Sequence, residues 1–280
     1  MNNKFSGVLI ILLALAAISF AGCTGSQPAE NTSAGAGNAT AEQTVAGEET
    51  YIIGIDGEYR PYSYIDTEGN AQGFDVESAK WIAKNQGFNV EFQPLAWDGI
   101  IPALLAGKND MIYSGLTITD ERLEKVNFSI PYLQVDQGVA FNNDSDYTMD
   151  DFMNGTLVIG AQRGTTGSIW TEENLIETGL MPSENLKYYD NFPSAVTDLQ
   201  NKRIDATIYD VPSLRDAIEG KTMEIRDQID TGEVYGVAIK KDDTALLDKI
   251  NAGLNNLMDD PYWQELLEKY KLVGASPHKK

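Results

Sequence analysis

Residues 110–132 read DMIYSGLTITDERLEKVNFSIPY, which joins a short strand pattern to small hydroxylated residues and one arginine. Gly115 lets a ligand approach the backbone, and Ser114 and Thr117 can donate hydroxyl and amide hydrogens. Arg122 then offers a planar guanidinium fork, which binds a carboxylate through two parallel hydrogen bonds. This order of residues indicates an anion-binding site.

The same stretch allows a second interpretation that needs no ligand. Thr119 can cap a helix whose first turn contains Asp120 and Glu121, and acids are favoured at the positive end of a helix. Arg122 is then a solvated surface residue. The residues themselves leave both interpretations open.

Two motifs in the stretch carry a family resemblance: SGLTITDER at 114–122 and FSIPY at 128–132. Both resemble the signature of the periplasmic-type amino-acid-binding proteins of ABC importers, the bacterial family 3 solute-binding proteins, which include glutamine and lysine/arginine/ornithine receptors. IDGEYRPYSY at 55–64 and GFDV at 73–76 extend the resemblance, which runs from about residue 51 to about residue 273.

The resemblance implies a two-lobed α/β fold of the type II periplasmic-binding-protein class. The chain is expected to cross twice between the lobes, near 133–138 and 233–237, so that the crossings form a hinge beside a ligand cleft. The first lobe is predicted to comprise residues 51–135 plus 236–280, and the second lobe residues 136–235.

Composition is consistent with this size and excludes one class of partner. A chain of 280 residues is long enough for about two domains of ~100 to 200 residues. Its formal net charge is -21, with 42 acidic against 21 basic residues. Nucleic acid is not expected as a partner, because phosphate backbones repel so acidic a chain.

The amino terminus reads as an export signal, residues 1–22, with Lys4 ahead of an apolar run that is too short for a transmembrane helix of ~20 residues. Cys23, the only cysteine, follows F-A-G and resembles a lipobox cysteine, so we expect it to be lipidated. The alternative is a plain secretory signal and a buried cysteine. Residues 23–50 are rich in Gly, Ala, Ser, Thr and Glu, which predicts a flexible tether.

Strand and helix patterns alternate in the predicted first lobe. The predicted strands are 51–55, 88–92 and 110–113, and the predicted helices are 74–86, ended by Gly87, and 99–106. This βαβαβ order is typical of a mostly parallel sheet, in which ligands bind beyond the carboxyl ends of the strands. Asp56, Tyr59, Trp97 and the residues from Ser114 to Arg122 fall at those ends.

The predicted second lobe repeats the pattern. Its predicted strands are 137–141, 156–161, 186–190 and 204–209, and its predicted helices are 148–153, 168–178 and 194–201. A return strand predicted at 233–239 leads back to the first lobe and is followed by closing helices at 244–258 and 262–270. Gly164, Thr165 and Thr166 precede a helix, where free backbone amides can bind an anion, although capping alone also explains the threonines. Asp210 ends a strand and is a natural counter-charge for an ammonium group.

The resemblance assigns roles to these positions. Arg122, the backbone from Ser114 to Thr117, and Thr166 are expected to hold an α-carboxylate, with Gly115 and Thr165 beside them, and Asp210 to hold the α-ammonium group. Tyr59 and Trp97 would flank the ligand side chain. Asp56, Asp75 and Gln162 are candidates for its far end, although Asp75 can equally be a helix N-terminal acid.

The predicted function is therefore extracytoplasmic binding of a polar amino acid, with a lean toward a cationic one, and its delivery to the permease subunits of an ABC importer. We expect a monomer without cofactor or metal, anchored by lipid to the outer face of the cytoplasmic membrane. One alternative is a cyclohexadienyl-type dehydratase on the same fold. Metal or histidine-based catalysis is not expected, because His278 is the only histidine, but catalysis by a carboxylate acting as a general acid in the cleft stays open. Another is a ligand sensor, which would share every site residue.

Overall fold

The computed structural model describes residues 49–275 of the chain. The predicted signal peptide, Cys23, His278 and nearly all of the predicted tether lie outside these residues. The strands, in chain order, are β1 (Thr50–Ile55), β2 (Glu58–Tyr59), β3 (Ser63–Ile65), β4 (Ala71–Gln72), β5 (Asn89–Pro94), β6 (Met111–Ile112), β7 (Asn127–Phe128), β8 (Leu133–Asn142), β9 (Ile159–Gln162), β10 (Leu186–Tyr189), β11 (Ala206–Asp210), β12 (Met223–Tyr235) and β13 (Ala238–Ile239). The α-helices are α1 (Phe74–Gln86), α2 (Ile100–Leu105), α3 (Asp120–Lys125), α4 (Met149–Met153), α5 (Thr166–Thr171), α6 (Phe192–Gln200), α7 (Val211–Ile218), α8 (Thr244–Asp259) and α9 (Pro261–Lys269).

The first sheet has the strand order β5-β1-β6-β13-β7. β1 pairs in parallel with β5 and β6, whereas β13 pairs antiparallel with β6 and β7. The predicted βαβαβ order is thereby confirmed. Helix α1 has its predicted bounds and ends at Gly87, whose φ of 74° is a left-handed conformation that glycine adopts without strain.

The second sheet has the order β10-β9-β11-β8-β12. β9 runs parallel to β10 and β11, and β8 runs antiparallel to β11 and β12. The helix predicted at 168–178 begins earlier, at Thr166, because Thr165 caps it, and it passes into a π-helical turn at Glu172–Ile176.

Two neighbouring segments connect the sheets. β8 follows β7 of the first sheet and leads the chain into the second sheet, and β12 leads it back toward β13. The start of β8 and the end of β12 lie side by side, since Leu133 pairs with Tyr235. The return strand predicted at 233–239 is wrong as a single strand: β12 starts at Met223, and residues 236 and 237 separate it from β13. The fold is the two-lobed α/β type II class that the resemblance implies. The lobe boundaries at 135 and 235 stay a prediction.

A layer of buried tyrosines lies where the two connections meet the first sheet. Tyr59 stacks on Tyr62 with ring centroids 4.9 Å apart, and Tyr62 meets Tyr235 edge-on at 5.3 Å. Tyr113 meets Tyr132 edge-on at 5.1 Å. Burial raises the pKa of all five phenols well above the usual value, so they remain neutral hydrogen-bonding groups beneath the cleft.

Candidate functional site

The strand ends of both sheets meet at one small cavity. The residues that line it are Tyr59, Trp97, Gly115, Thr117, Arg122, Thr165, Thr166, Tyr209 and Asp210. All except Tyr209 were predicted as site residues. The cavity itself is only about 10 Å³, roughly the space of one water molecule.

Arg122 lies on α3 and is only 7% exposed, so the interpretation of a solvated arginine is wrong. Its Nη1 donates to the carbonyl of Thr117 at 2.8 Å, and its Nη2 donates to the carbonyl of Gly164 on the other lobe at 3.1 Å. Thr119 does cap α3, since its hydroxyl accepts a hydrogen bond from the Arg122 amide at 3.2 Å. Burial lowers the pKa of Arg122, and the negative charges of Glu233 and Asp210 oppose that shift.

Gly115 forms the floor of the site, where no side chain would fit. Its φ is +56°, and a Cβ there would lie 2.5 Å from a ring carbon of Tyr59. The Gly115 amide does not face the cavity, because it donates to Oδ2 of Asp75 at 2.6 Å.

Asp75 and Ser114 lie behind the site and do not line the cavity. The Asp75 carboxyl group is fully buried, and its Oδ2 also accepts from the Tyr132 hydroxyl at 3.0 Å. Desolvation raises the pKa of Asp75 to about 8. Ser114 accepts from the Asp56 amide at 2.9 Å and exchanges a hydrogen bond with Ser63 at 2.8 Å. Both residues therefore support the strand ends, and the placement of Asp75 does not favour a direct ligand contact.

Trp97 begins a short 3-10 turn, Trp97–Gly99, and its ring lies near that of Tyr59. The two ring centroids are 6.3 Å apart and the planes are inclined by 41°. A side chain held between two ring faces needs roughly 7 to 8 Å, at about 3.5 to 4 Å on each side. The rings would have to separate slightly to accept one. Trp97 Nε1 also reaches the other lobe, where it donates to the Gly164 carbonyl at 3.1 Å.

Thr165 and Thr166 occupy the start of α5. Thr165 is the cap, since its hydroxyl accepts from the Ser168 amide at 3.3 Å. Thr166 instead turns its hydroxyl into the cleft and donates to Glu233 Oε2 at 2.6 Å. The two threonines thus have different roles: the Thr165 hydroxyl caps the helix, and the Thr166 hydroxyl bonds to side chains of the site, Glu233 and Gln137.

Asp210 ends β11 and is the buried anion of the site. Its Oδ2 accepts from the Tyr59 hydroxyl at 2.5 Å, and its Oδ1 accepts from Gln137 Nε2 at 2.6 Å. Desolvation, reinforced by the negative charge of Glu233, raises the pKa of Asp210 to about 7. A cation placed beside this carboxylate would restore its charge.

A second polar chain crosses the cleft at Asp56 and Gln162. Gln162 Nε2 donates to Asp56 Oδ2 at 3.0 Å, and the Tyr209 hydroxyl donates to Gln162 Oε1 at 2.7 Å. Burial raises the pKa of Asp56. Asp56 of the first lobe is therefore joined by hydrogen bonds to Gln162 and Tyr209 of the second. A ligand group that enters here would meet a carboxylate acceptor, an amide and a phenol.

Two residues of the site were missed from the sequence, Gln137 and Glu233. Gln137 Nε2 donates to Asp210 Oδ1 and, at 3.1 Å, to Glu233 Oε1. A glutamine inside the apolar pattern of β8 was a signal that could have found Gln137. Glu233 had no such signal, because the sequence placed it only as the first residue of the return strand predicted at 233–239.

Within residues 49–275, no group of three or more His, Cys, Asp or Glu side chains is arranged to hold a metal ion. Searched over the same part of the chain, no helix is long and apolar enough to span a membrane.

The model of the family described as bacterial extracellular solute-binding proteins, family 3, matches residues 51–273. The chain belongs to this family. Among relatives of this family 3 protein, a probable histidine-binding protein of Neisseria gonorrhoeae is 27% identical over 79% of this chain and 83% of its own length.

Solved structures agree with this assignment. An ancestral arginine-binding protein bound to glutamine is 32% identical, covers 80% of this chain and 99% of its own, and superposes with a TM-score of 0.72. An ancestral amino-acid-binding protein, a precursor of cyclohexadienyl dehydratase, is 33% identical over 79% of this chain and 94% of its own, with a TM-score of 0.70. The family 3 protein described here therefore shares its fold with proteins that bind amino acids.

Proposed function

We propose that the protein binds a polar amino acid outside the cell, with a preference for a cationic one, and delivers it to an ABC importer by closing around it. The observation that carries the proposal is that two buried groups of opposite charge line one cavity. A buried guanidinium, Arg122, and a buried carboxylate, Asp210, line the same space. Together they suit a zwitterion, since each buried charge needs a partner.

The roles follow from the lining. Arg122 and the hydroxyls of Thr117 and Thr166 bind the α-carboxylate, and Asp210 binds the α-ammonium group. Tyr59 and Trp97 flank the side chain, whose far end reaches Asp56 and Gln162. Asp56 is an acceptor for a cationic end group, which gives the lean toward a basic side chain. Asp75 and Ser114 act from behind by holding Gly115 and Asp56.

Titration calorimetry against the twenty amino acids tests this function. One or a few amino acids should bind, and Arg122→Ala should weaken binding by about 30-fold to 5,000-fold, since truncating one member of a buried charge pair costs about 2 to 5 kcal/mol. Lys125→Ala is the matched control, because Lys125 is a cation on the same helix but pairs with Glu121 on the surface. Equal affinities for the two variants, or no binding by the parent protein, would contradict the proposal.

A dehydratase is the second candidate, supported by the similarity to a dehydratase precursor and by the proton-holding capacity of Asp210. Incubation with a cyclohexadienyl amino acid, followed by ultraviolet absorbance, separates the two functions. Formation of an aromatic product that Asp210→Asn abolishes would favour the enzyme. Saturable binding without product favours the receptor.

The remaining parts of the proposal concern residues 1–50 and rest on their sequence. We propose that residues 1–22 are removed, that Cys23 is lipidated and that residues 23–50 tether the folded body to the membrane. Cys23→Ser should move the protein from the membrane fraction to the soluble fraction of fractionated cells. Retention of the variant in the membrane fraction would contradict lipid anchoring.

A further inference from the structure

Glu233, near the end of β12, places its carboxylate beside the cavity, against two of the residues that line it. Its Oε2 accepts hydrogen bonds from the hydroxyl of Thr117 at 2.9 Å and from that of Thr166 at 2.6 Å. Its Oε1 accepts from Gln137 Nε2 at 3.1 Å. Thr117 follows the first sheet and Thr166 starts a helix on the second, so one carboxylate oxygen joins the two lobes.

An irregularity in β12 positions this side chain. The pairing of β12 with β8 shifts register between Ile229 and Glu233. Gly232, the residue before Glu233, has a φ of +61°, a left-handed conformation that favours glycine. Bulges of this kind bend a strand and redirect its side chains, and they are frequent beside binding sites. The redirected side chain here points between the lobes.

The contacts of Glu233 duplicate those proposed for a ligand. Thr117 and Thr166 are two of the groups assigned to the α-carboxylate, and both already donate to Glu233. The cavity that remains is about 10 Å³, which holds no more than one water molecule. An amino acid cannot enter unless a group now filling the site moves, and a hydrogen-bonded carboxylate of the same chemistry is the group best placed to be exchanged.

We propose that Glu233 is an internal occupant of the carboxylate site, which a ligand carboxylate must displace, so that Glu233 sets the affinity for amino acids. This inference rests on the proposed function. In this displacement the ligand carboxylate replaces the Glu233 carboxylate at the same two hydroxyls, those of Thr117 and Thr166. The ligand affinity is then set by the difference in free energy between the site that holds Glu233 and the site that holds the ligand. Amino-acid binding is then weaker than the contacts of the site alone would give.

The charges around Glu233 also allow a different role, in which its carboxylate binds the α-ammonium group of the ligand. Arg122 faces Glu233 and Asp210, and Gln137 bridges the two carboxylates. If Glu233 instead joined Asp210 in binding the α-ammonium group, its removal would weaken binding. The two roles therefore predict changes of opposite sign.

Calorimetric titration of the full chain with the amino acid bound by the parent protein tests the proposal. Glu233→Ala should bind about tenfold tighter, and Glu233→Gln should tighten binding by a smaller factor, because Gln keeps the size but loses the charge. Asp227→Asn is the control, since Asp227 is exposed on the same strand and its loss changes the net charge equally. Thermal unfolding checks that each variant is folded.

Unchanged or weaker binding by folded Glu233→Ala overturns the inference while leaving the proposed function intact, because the parent protein still binds. Binding of no amino acid by the parent or by either Glu233 variant overturns both.

Discussion

At the scale of single residues, Asp75 links the stability of the protein to pH. Its folded-state pKa of about 8 lies above the ordinary value of 3.8, so the folded protein holds a proton that the unfolded chain has released. The stabilisation is fully present below about pH 4 and is lost as the pH rises toward 8. Between these limits the free energy of unfolding should fall by up to about 1.4 kcal/mol per pH unit because of this group.

The Asp75→Asn variant isolates this contribution. Asn keeps an acceptor for the Gly115 amide and the Tyr132 hydroxyl but cannot ionise. Urea unfolding gives the free energy of unfolding at pH 5 and at pH 7. Between these two pH values it should fall by up to about 3 kcal/mol more in the parent protein than in the variant. Asp227→Asn, an exposed change, should track the parent. Parallel losses for the parent and Asp75→Asn would refute the assignment.

Asp75 and Glu233 also show the limit of sequence reasoning at this scale. Asp75 lies in the first turn of α1, where the sequence is compatible with both a ligand contact and a helix N-terminal acid. The packing of α1 on the strand end at Gly115 buried it, and that contact joins residues 40 positions apart. Glu233 enters the site only through a register shift in β12, which depends on the partner strand β8.

At the scale of elements, regular periodicity was what the sequence could predict. Helix α1 carried a complete helical pattern, and the three parallel strands of the first lobe stood out as apolar or alternating runs, so all four elements were found. The short hairpin strands β2, β3 and β4 were missed because two or three residues show no period. Most of β12 was missed because its charged, partly exposed residues and its shifted register hide the alternation. Helix α7 was also missed, as it follows Asp210 directly without a turn signal.

The N-terminal cap of helix α3, Thr119, should affect both the stability of the protein and the position of Arg122. Thr119→Ala removes the hydroxyl that holds the Arg122 amide, so the start of the helix should fray and Arg122 should be less firmly placed. The expected loss is about 1 kcal/mol of unfolding free energy, measured with urea, together with a several-fold weaker amino-acid affinity, measured by calorimetry.

Thr148→Ala is the matched control for that experiment. Thr148 caps α4 through a capping box with Asp151, at a distance from the lining of the cavity. Its removal should cost a similar stability and leave affinity unchanged. Equal effects of the two substitutions on affinity would mean that α3 does not position Arg122 through its cap.

At the scale of the whole molecule, hydrogen bonds cross the cleft beside an edge-on contact between the rings of Tyr59 and Tyr209, whose centroids are 5.6 Å apart. Trp97 and Arg122 both donate to the Gly164 carbonyl, Gln162 donates to Asp56, and Tyr59 donates to Asp210. Hydrogen bonds of this kind contribute about 1 kcal/mol each on balance. Open and closed arrangements of two lobes joined by β8 and β12 should therefore differ by only a few kcal/mol, within the reach of ligand binding.

Spin labels placed on the two lobes measure this equilibrium. Lys84→Cys on α1 and Lys187→Cys on β10, both exposed, can be labelled in a Cys23→Ser background. Saturating amino acid should narrow the distribution of distances between the labels, because a ligand held by Arg122 and Asp210 binds both lobes at once. The same labels in an Arg122→Ala protein should show no narrowing at that concentration. A distribution that ligand leaves unchanged in the parent protein would mean that binding does not drive closure, and delivery to an importer would then need another signal.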